Sequence, residues 1–344
     1  MGVVMILCSD LHLTERERDE YRWEFLDWLA EELDRSGEDE LFILGDLTDQ
    51  KDGHSAKLVN RIIDTLFGLP ANVTILKGNH DYTDADCPFF RFLDKEMGDN
   101  IRFVSDPLLD EDDSGNILLL PHTRTPLEDW SSIITDFSHV KLIFCHQTFN
   151  GADAGKGHML ASSLSSLYFS QGRGFRGKVL SGDVHVPQKV GDVTYVGCPY
   201  PVAFGDMFTP RILFYRDGKL TQKKTPSIHR WSLDLSSVDE LADMPDLQEG
   251  DQAKVRMHLP RSEFGSWEQH KMRLFEIAKK CGVQLFSVEL HEKKSRTRSR
   301  LEDPTAKAPV AVSAEELLRT FCRARGLDEA IEETGVELMK EEKR

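Results

Sequence analysis

Five short apolar runs constrain this chain most, because each one ends on residues that can bind a cation. Val3–Cys8 leads into Asp10-Leu11-His12, Leu41–Leu44 into Gly45-Asp46-Leu47-Thr48-Asp49, and Val73–Leu76 into Gly78-Asn79-His80-Asp81. Leu142–Cys145 runs into His146, and Lys178–Leu180 into Gly182-Asp183-Val184-His185. Apolar runs this short read as buried strands. Between the first two, Trp23, Leu26, Ala30 and Leu33 recur at helical spacing, with Gly37 placed to end the helix. Ser55 to Phe67 reads as a second helix before the Gly68-Leu69-Pro70 break. Strands alternating with helices predict an α/β layered sheet. Ligands of such sheets gather at the carboxyl ends of the strands, so the five loops are expected to converge. The glycines before Asp46, Asn79 and Asp183 are expected to let the backbone turn sharply there.

The rest of the chain divides into smaller parts. A strand at Ile212–Tyr215 and a turn at Asp217-Gly218 close a core of residues 1–219. Two strands, near 253–259 and 283–290, flank a helix that Ser266-Trp267-Glu268-Gln269 opens as a capping box and Gly282 ends. Residues 220–292 therefore read as a small α+β cap. Residues 293–312, beginning with the basic run Lys293 to Arg300, read as a linker. Residues 313–344 read as a helical pair carrying Leu317, Leu318, Phe321, Ile331, Leu338 and Met339. That stripe is too small to make its own core, and it either enters a partner's groove or folds back on the cap.

Composition narrows the class. An apolar fraction of 40% and a charged fraction of 30% over 344 residues suit a soluble globular protein. No stretch reaches the roughly 18 to 20 apolar residues of a membrane helix. Met1–Cys8 is too short for a signal segment, and Ile6 stands where myristoylation wants Ser or Thr. Six scattered cysteines without a CxxC pair fit reduced thiols in a cytoplasm, a host's if the source is a phage. Cys8 and Cys145, inside apolar runs, read as core residues. A net charge of −16 argues against coating nucleic acid by bulk electrostatics, but a locally basic surface or a DNA-gripping partner would permit a nuclease.

The ordered blocks Asp10-x-His12, Gly45-Asp46-x-x-Asp49, Gly78-Asn79-His80-Asp81, His146 and Gly182-Asp183-x-His185 resemble the calcineurin-like metallophosphoesterases. The resemblance implies a layered β-sandwich flanked by helices, followed by the cap and the helical pair. It implies one cation held by Asp10, His12, Asp46 and His185, and a second by Asp46, Asn79, His146 and Asp183. It places His80 beside the scissile phosphate, with Asp81 either orienting His80 or capping a loop, and Asp49 structural. The family has His where this chain has Asp183. A carboxylate there makes the second site harder and more anionic, which favours manganese or magnesium over zinc. The other reading of Asp183 is a damaged site.

The metal blocks alone do not name the substrate. Val193-Thr194-Tyr195-Val196-Gly197-Cys198-Pro199-Tyr200-Pro201, with Ala203-Phe204-Gly205-Asp206, is similar to the segment after the last block in SbcD-type repair nucleases. That similarity implies 3′ to 5′ exonuclease and endonuclease activity on DNA. It also implies a homodimer, and a helical pair docked on an SbcC-type, SMC-like ATPase. The alternatives are a phosphomonoesterase or protein phosphatase, and a non-catalytic scaffold. Gly172 to Gly177 matches G-x-G-x-x-G but leads into a strand, which rules out a dinucleotide loop. Its Arg173 and Arg176 are candidate contacts to DNA phosphates.

Overall fold

The computed structural model describes residues 4–94, 100–112, 115–130, 137–171, 174–293 and 333–334. Its first sheet contains β1 (Val4–Cys8), β2 (Glu40–Ile43), β3 (Asn72–Leu76) and β4 (Ile101–Val104). These four run parallel in the order β1-β2-β3-β4. The second sheet contains β5 (Leu108–Asp112), β6 (Gly115–Leu120), β7 (Val140–His146), β8 (Lys178–Gly182), β9 (Gln188–Val190) and β10 (Val193–Tyr195). Its order is β5-β6-β7-β8-β10-β9, with β6, β7, β8 and β10 parallel. Then β11 (Arg211–Arg216) and β12 (Lys219–Lys224) return to the first sheet, β11 antiparallel to β1 and β12 antiparallel to β11 at the edge. Residues 220–224, expected to open the cap, are thus strand residues of the first sheet.

The apolar runs are continuous because both faces of each strand are covered. Alternate residues of β1 show how. Met5 and Leu7 pack between the sheets with Phe42, Leu76, Leu119, Phe144 and Leu180. Ile6 and Cys8 face the other way, onto Leu26, Leu29, Leu58 and Ile62. Those partners come from α1 (Tyr21–Ser36) and α2 (Ala56–Gly68). Gly37 ends α1 in the left-handed conformation, and Ser55 Oγ caps α2 by accepting the Leu58 N–H at 3.1 Å. On the outer face of the second sheet, Cys145, Ile143 and Val179 are covered by Trp130, Phe137, Phe149, Phe169 and Phe175. Trp130 follows α3, the single turn Pro126–Asp129.

A third sheet is formed by β13 (Arg230–Leu235), β14 (Gln252–Leu259) and β15 (Gln284–Glu292), all parallel, with α4 (Trp267–Lys280) crossing from β14 to β15. Two of its strands were legible in the sequence; β13, half polar on its exposed face, was not. The expected capping box does not form. A 3₁₀ turn, Arg261–Ser266, leads straight into α4, and Ser266 Oγ donates to the Glu263 carbonyl at 2.8 Å instead of capping. By contacts, Met1–Lys293 is one compact unit and Lys294–Arg344 a second. The expected linker and helical pair, with Leu317, Leu318, Phe321, Ile331, Leu338 and Met339, lie outside the described residues apart from 333–334. Arg173 lies outside them too. Among the described residues no helix is long and apolar enough to cross a membrane.

Candidate metal centre

The loops leaving β1, β2, β3, β7 and β8 meet, as the strand order requires. They do so at a conformational cost that marks the place. Six non-glycine residues among those described have positive φ, and four are expected ligands: Asp10 (57°), His12 (44°), Asp46 (55°) and Asp183 (78°). Such conformations cost of order 1–3 kcal/mol each and persist only where the surroundings over-determine them. Here backbone pairing does so, since the Asp10 and His12 N–H groups donate to the Gly45 and Asp46 carbonyls at 3.0 and 2.9 Å.

Three glycines let the loops approach, though only Gly45 (φ 91°) needs the left-handed region. A Cβ on Gly45 would lie 2.1 Å from His146 Nδ1, one on Gly78 would lie 2.2 Å from the Asp46 nitrogen, and one on Gly182 would lie 2.2 Å from the Leu44 carbonyl. The requirement at Gly78 and Gly182 is therefore closeness and not the sharp turn expected from the sequence. Gly78→Ala is expected to lower stability by about 1–3 kcal/mol through overpacking. It should also weaken cation binding, because the displaced atoms carry Asp46. Thermal denaturation with and without manganese checks both effects.

Asp46 sits in the middle of the cluster. Its Oδ2 lies 3.5 Å from His12 Nε2, its Oδ1 lies 3.4 Å from His146 Nε2, and the His80 N–H donates to Oδ1 at 2.7 Å. Ligand atoms of Asp10, His12 and His185 lie within 4.8 Å of one another, as do those of His12, Asp46 and His80, and those of Asp10, Asp46 and His146. Asp183 borders the last group, with Oδ1 3.8 Å from His146 Nε2 and its other oxygen accepting the Thr148 hydroxyl. Its own N–H donates to Asp10 Oδ1 at 3.1 Å.

The donor set fits divalent cations because imidazole, carboxylate and amide groups converge on one small volume. His146 donates Nδ1–H to the Leu44 carbonyl at 2.6 Å, which turns Nε2 toward the Asn79 amide at 3.0 Å. With its nitrogen turned inward the Asn79 amide donates to both Asp46 carboxylate oxygens, at 3.0 and 3.1 Å, and turned the other way it offers Oδ1 to a cation. His12 and His185 oppose their Nε2 atoms at 3.2 Å, and His12 Nδ1 is buried without a hydrogen-bond partner. Imidazole, carboxylate and amide groups brought together in this way suit a divalent cation. The charges agree. Burial, then Asp81 and Asp10, hold Asp46 well above the usual carboxylate range, with His146 opposing. Burial disfavours charge on His146, but Asp46, Asp10 and Asp183 outweigh it and lift the imidazole to about 9. A proton there answers the same negative field that a cation would.

Of the two roles expected for Asp81, orienting His80 and capping a loop, the bonds made are those of a cap. The Asp81 carboxylate accepts the N–H groups of Gly78, Asp46 and Leu47 at 2.7, 3.0 and 3.0 Å, so it caps the loops. His80 is oriented by the Asp49 backbone, whose carbonyl accepts from Nδ1 at 2.7 Å. Sequence reasoning also missed the groups behind His12. Buried Arg22 donates to the His12 carbonyl, receives support from Asp19 at 3.6 Å, and donates through Nε to Tyr21 Oη at 3.2 Å. Tyr200 Oη donates to the Leu11 carbonyl. Arg22 left one available signal, a cation in register with Leu26, Leu29 and Leu33 on the apolar stripe of α1. Arg176 is exposed on the approach to β8, and none of the three ligand groups includes it.

A family model described as calcineurin-like phosphoesterase matches residues 4–187, more than half of the chain, while no curated protein matches it. The matched span contains every ligand block from Asp10 to His185. With the two packed mixed sheets and the converging donor set, this places the chain in the calcineurin-like phosphoesterase family, whose members hydrolyse phosphoesters with divalent metals.

Proposed function

We propose that the chain is a metal-dependent DNA nuclease of the SbcD type, cutting phosphodiesters as a 3′ to 5′ exonuclease and as an endonuclease. The observation that carries this reading is the segment following the last ligand block. Tyr200 fastens it to the carbonyl between Asp10 and His12. Asp206 caps its turn by accepting the Val202 and Ala203 N–H groups at 3.1 and 2.8 Å, and Gly205 (φ 86°) donates to the Arg230 carbonyl at the head of β13 at 2.6 Å. The segment that resembles the repair nucleases therefore joins the ligand loops to the third sheet, where the cap of such a nuclease belongs.

In this reading Asp10, His12, Asp46 and His185 hold one cation, and Asp46, Asn79, His146 and Asp183 hold the other, with manganese favoured over magnesium. Bound divalent cations supply Lewis acidity that activates water and neutralises phosphoryl charge. Asp49 keeps the Nδ1 proton of His80 engaged, so Nε2 is the atom that gives a proton to the departing 3′ oxygen. The reading extends to a homodimer working in the cytoplasm with an SbcC-type, SMC-like ATPase docked on residues 313–344, and to DNA passing over Arg173, Arg176 and the cap.

The test offers the purified chain end-labelled single- and double-stranded DNA, and p-nitrophenyl phosphate, with manganese, magnesium or EDTA. Cleavage of DNA that EDTA abolishes is the expected result. Turnover of the monoester alone would move the protein to the phosphatases, and inactivity on both with under one ion bound per chain at saturating manganese would favour a scaffold.

A further inference from the structure

Beside the metal centre lies a half-open cavity of about 630 Å³ that the phosphodiesterase chemistry leaves unused. It opens where β3, β4 and β6 end, and Lys77, Tyr82, His122 and Arg124 line it. Lys77 directly precedes the Gly78-Asn79 ligand loop, and its N–H donates to the Val104 carbonyl at 3.0 Å while its carbonyl accepts the His122 N–H at 2.8 Å. The His122 ring stands 6.0 Å, centre to centre, from the ring of His146. The cavity and the cation site thus share a wall.

Its most informative group is the Lys77 ammonium. The residue is 7% exposed, and among the described residues its Nζ has no hydrogen-bond acceptor or ion-pair partner. The Tyr82 ring lies 5.1 Å from Nζ, and Arg124 approaches the same ring at 5.6 Å. Asp106, Asp86 and Asp129 act on the ammonium from a distance without bonding to it, which leaves its donors open to a ligand in the cavity. His122 accepts or donates at Nδ1 against Tyr82 Oη at 2.9 Å, and its other nitrogen is left for a ligand. Carboxylates also border the cavity, namely Asp86, Asp106, Glu128 and Asp129, and all four are exposed. Asp106 accepts the Ser105 hydroxyl at 2.9 Å, and Asp129 accepts the hydroxyls of Thr125 and Thr123. The acids hold the rim while the buried charge is positive.

We propose that this cavity is a second phosphate subsite, in which Lys77 and Arg124 bind the phosphate that neighbours the scissile one along a nucleic-acid strand. The naming of a strand phosphate as its natural occupant rests on the nuclease reading; the anion subsite itself rests on Lys77. Such a subsite would distinguish polynucleotides from simple phosphoesters, since only the former carry a second phosphate at fixed spacing.

Calorimetric titration of the manganese-saturated protein with thymidine 3′,5′-bisphosphate, and with the 3′- and 5′-monophosphates separately, tests this. The bisphosphate is expected to bind about tenfold tighter than either monophosphate, the scale of one added charge-assisted contact. Lys77→Met should erase that advantage, and Arg124→Gln should reduce it, while both leave monophosphate affinity unchanged. Equal binding of bisphosphate and monophosphates, or an advantage that survives in Lys77→Met, overturns the proposal. DNA cleavage without a bisphosphate advantage would remove the subsite and keep the nuclease. An advantage without DNA cleavage would keep the subsite and remove the nuclease.

Discussion

Asp46→Ala is expected to leave under one manganese ion per chain at saturating concentration, where the parent protein is expected to bind two. Asp46 stands between His12 and His146 with one oxygen 3.5 Å from the first and the other 3.4 Å from the second. Removing it withdraws one donor from both groups at once. Effects on folding should be far smaller without metal. The alanine loses the bond from the His80 N–H, worth about 1 kcal/mol, but it also removes a carboxylate that burial and Asp81 hold well above its usual range. Those contributions oppose each other. With manganese present the difference should open, because a ligand at a hundred times its Kd stabilises the folded state by about 2.7 kcal/mol per site. Thermal melts of parent and variant, with manganese and with EDTA, measure this. A variant that keeps the full manganese-induced rise in Tm would remove Asp46 from the shared position.

His80→Ala should do the reverse, retaining two cations and losing turnover. Its ring contributes to one group of donors with His12 and Asp46, but its fixed bond is Nδ1 to the Asp49 carbonyl, which commits the other nitrogen to the substrate side. Loss of a positioned general acid typically costs about 10²–10⁴ in rate. The size of the loss should depend on the leaving group. An alkoxide leaving from DNA needs a proton, whereas p-nitrophenolate leaves without one, so bis-p-nitrophenyl phosphate should be cleaved by the variant at a rate close to the parent's. Comparing kcat on DNA and on that ester tests the role. Equal losses on both would make His80 a ligand or a structural residue instead of a proton donor.

What could be read from the sequence follows from how local each signal was. Strands β1, β2, β3, β7 and β8 are buried on both faces and announce themselves as apolar runs, so the chain order of the donor blocks already implied their convergence. Three features depended on distant partners and were hidden. The φ values of Asp10, His12, Asp46 and Asp183 arise only when neighbouring loops pair. The alternatives for Asp81 could be separated only once its three N–H donors were in place. Strand β12 carries Lys219, Lys223 and Lys224 and alternates too weakly to mark itself as the edge of the first sheet, which is why the core appeared to stop early. A lysine-rich edge is itself protective, since it discourages pairing with another chain. The capping box before α4 failed for a related reason: its sequence is present, but the preceding 3₁₀ turn had already used the Ser266 hydroxyl.

In the proposed centre one shared carboxylate organises two cations, with Asp183 serving where the family has histidine. Anomalous diffraction from crystals soaked in manganese, recorded at the manganese edge, tests it most directly. Two peaks about 3.5–4 Å apart are expected, as in two-metal phosphoesterases. Asp46 should lie between them, Asp10, His12 and His185 around one, and Asn79, His146 and Asp183 around the other. A single peak beside His12 and His185, with Asp183 still turned to Thr148, would contradict it.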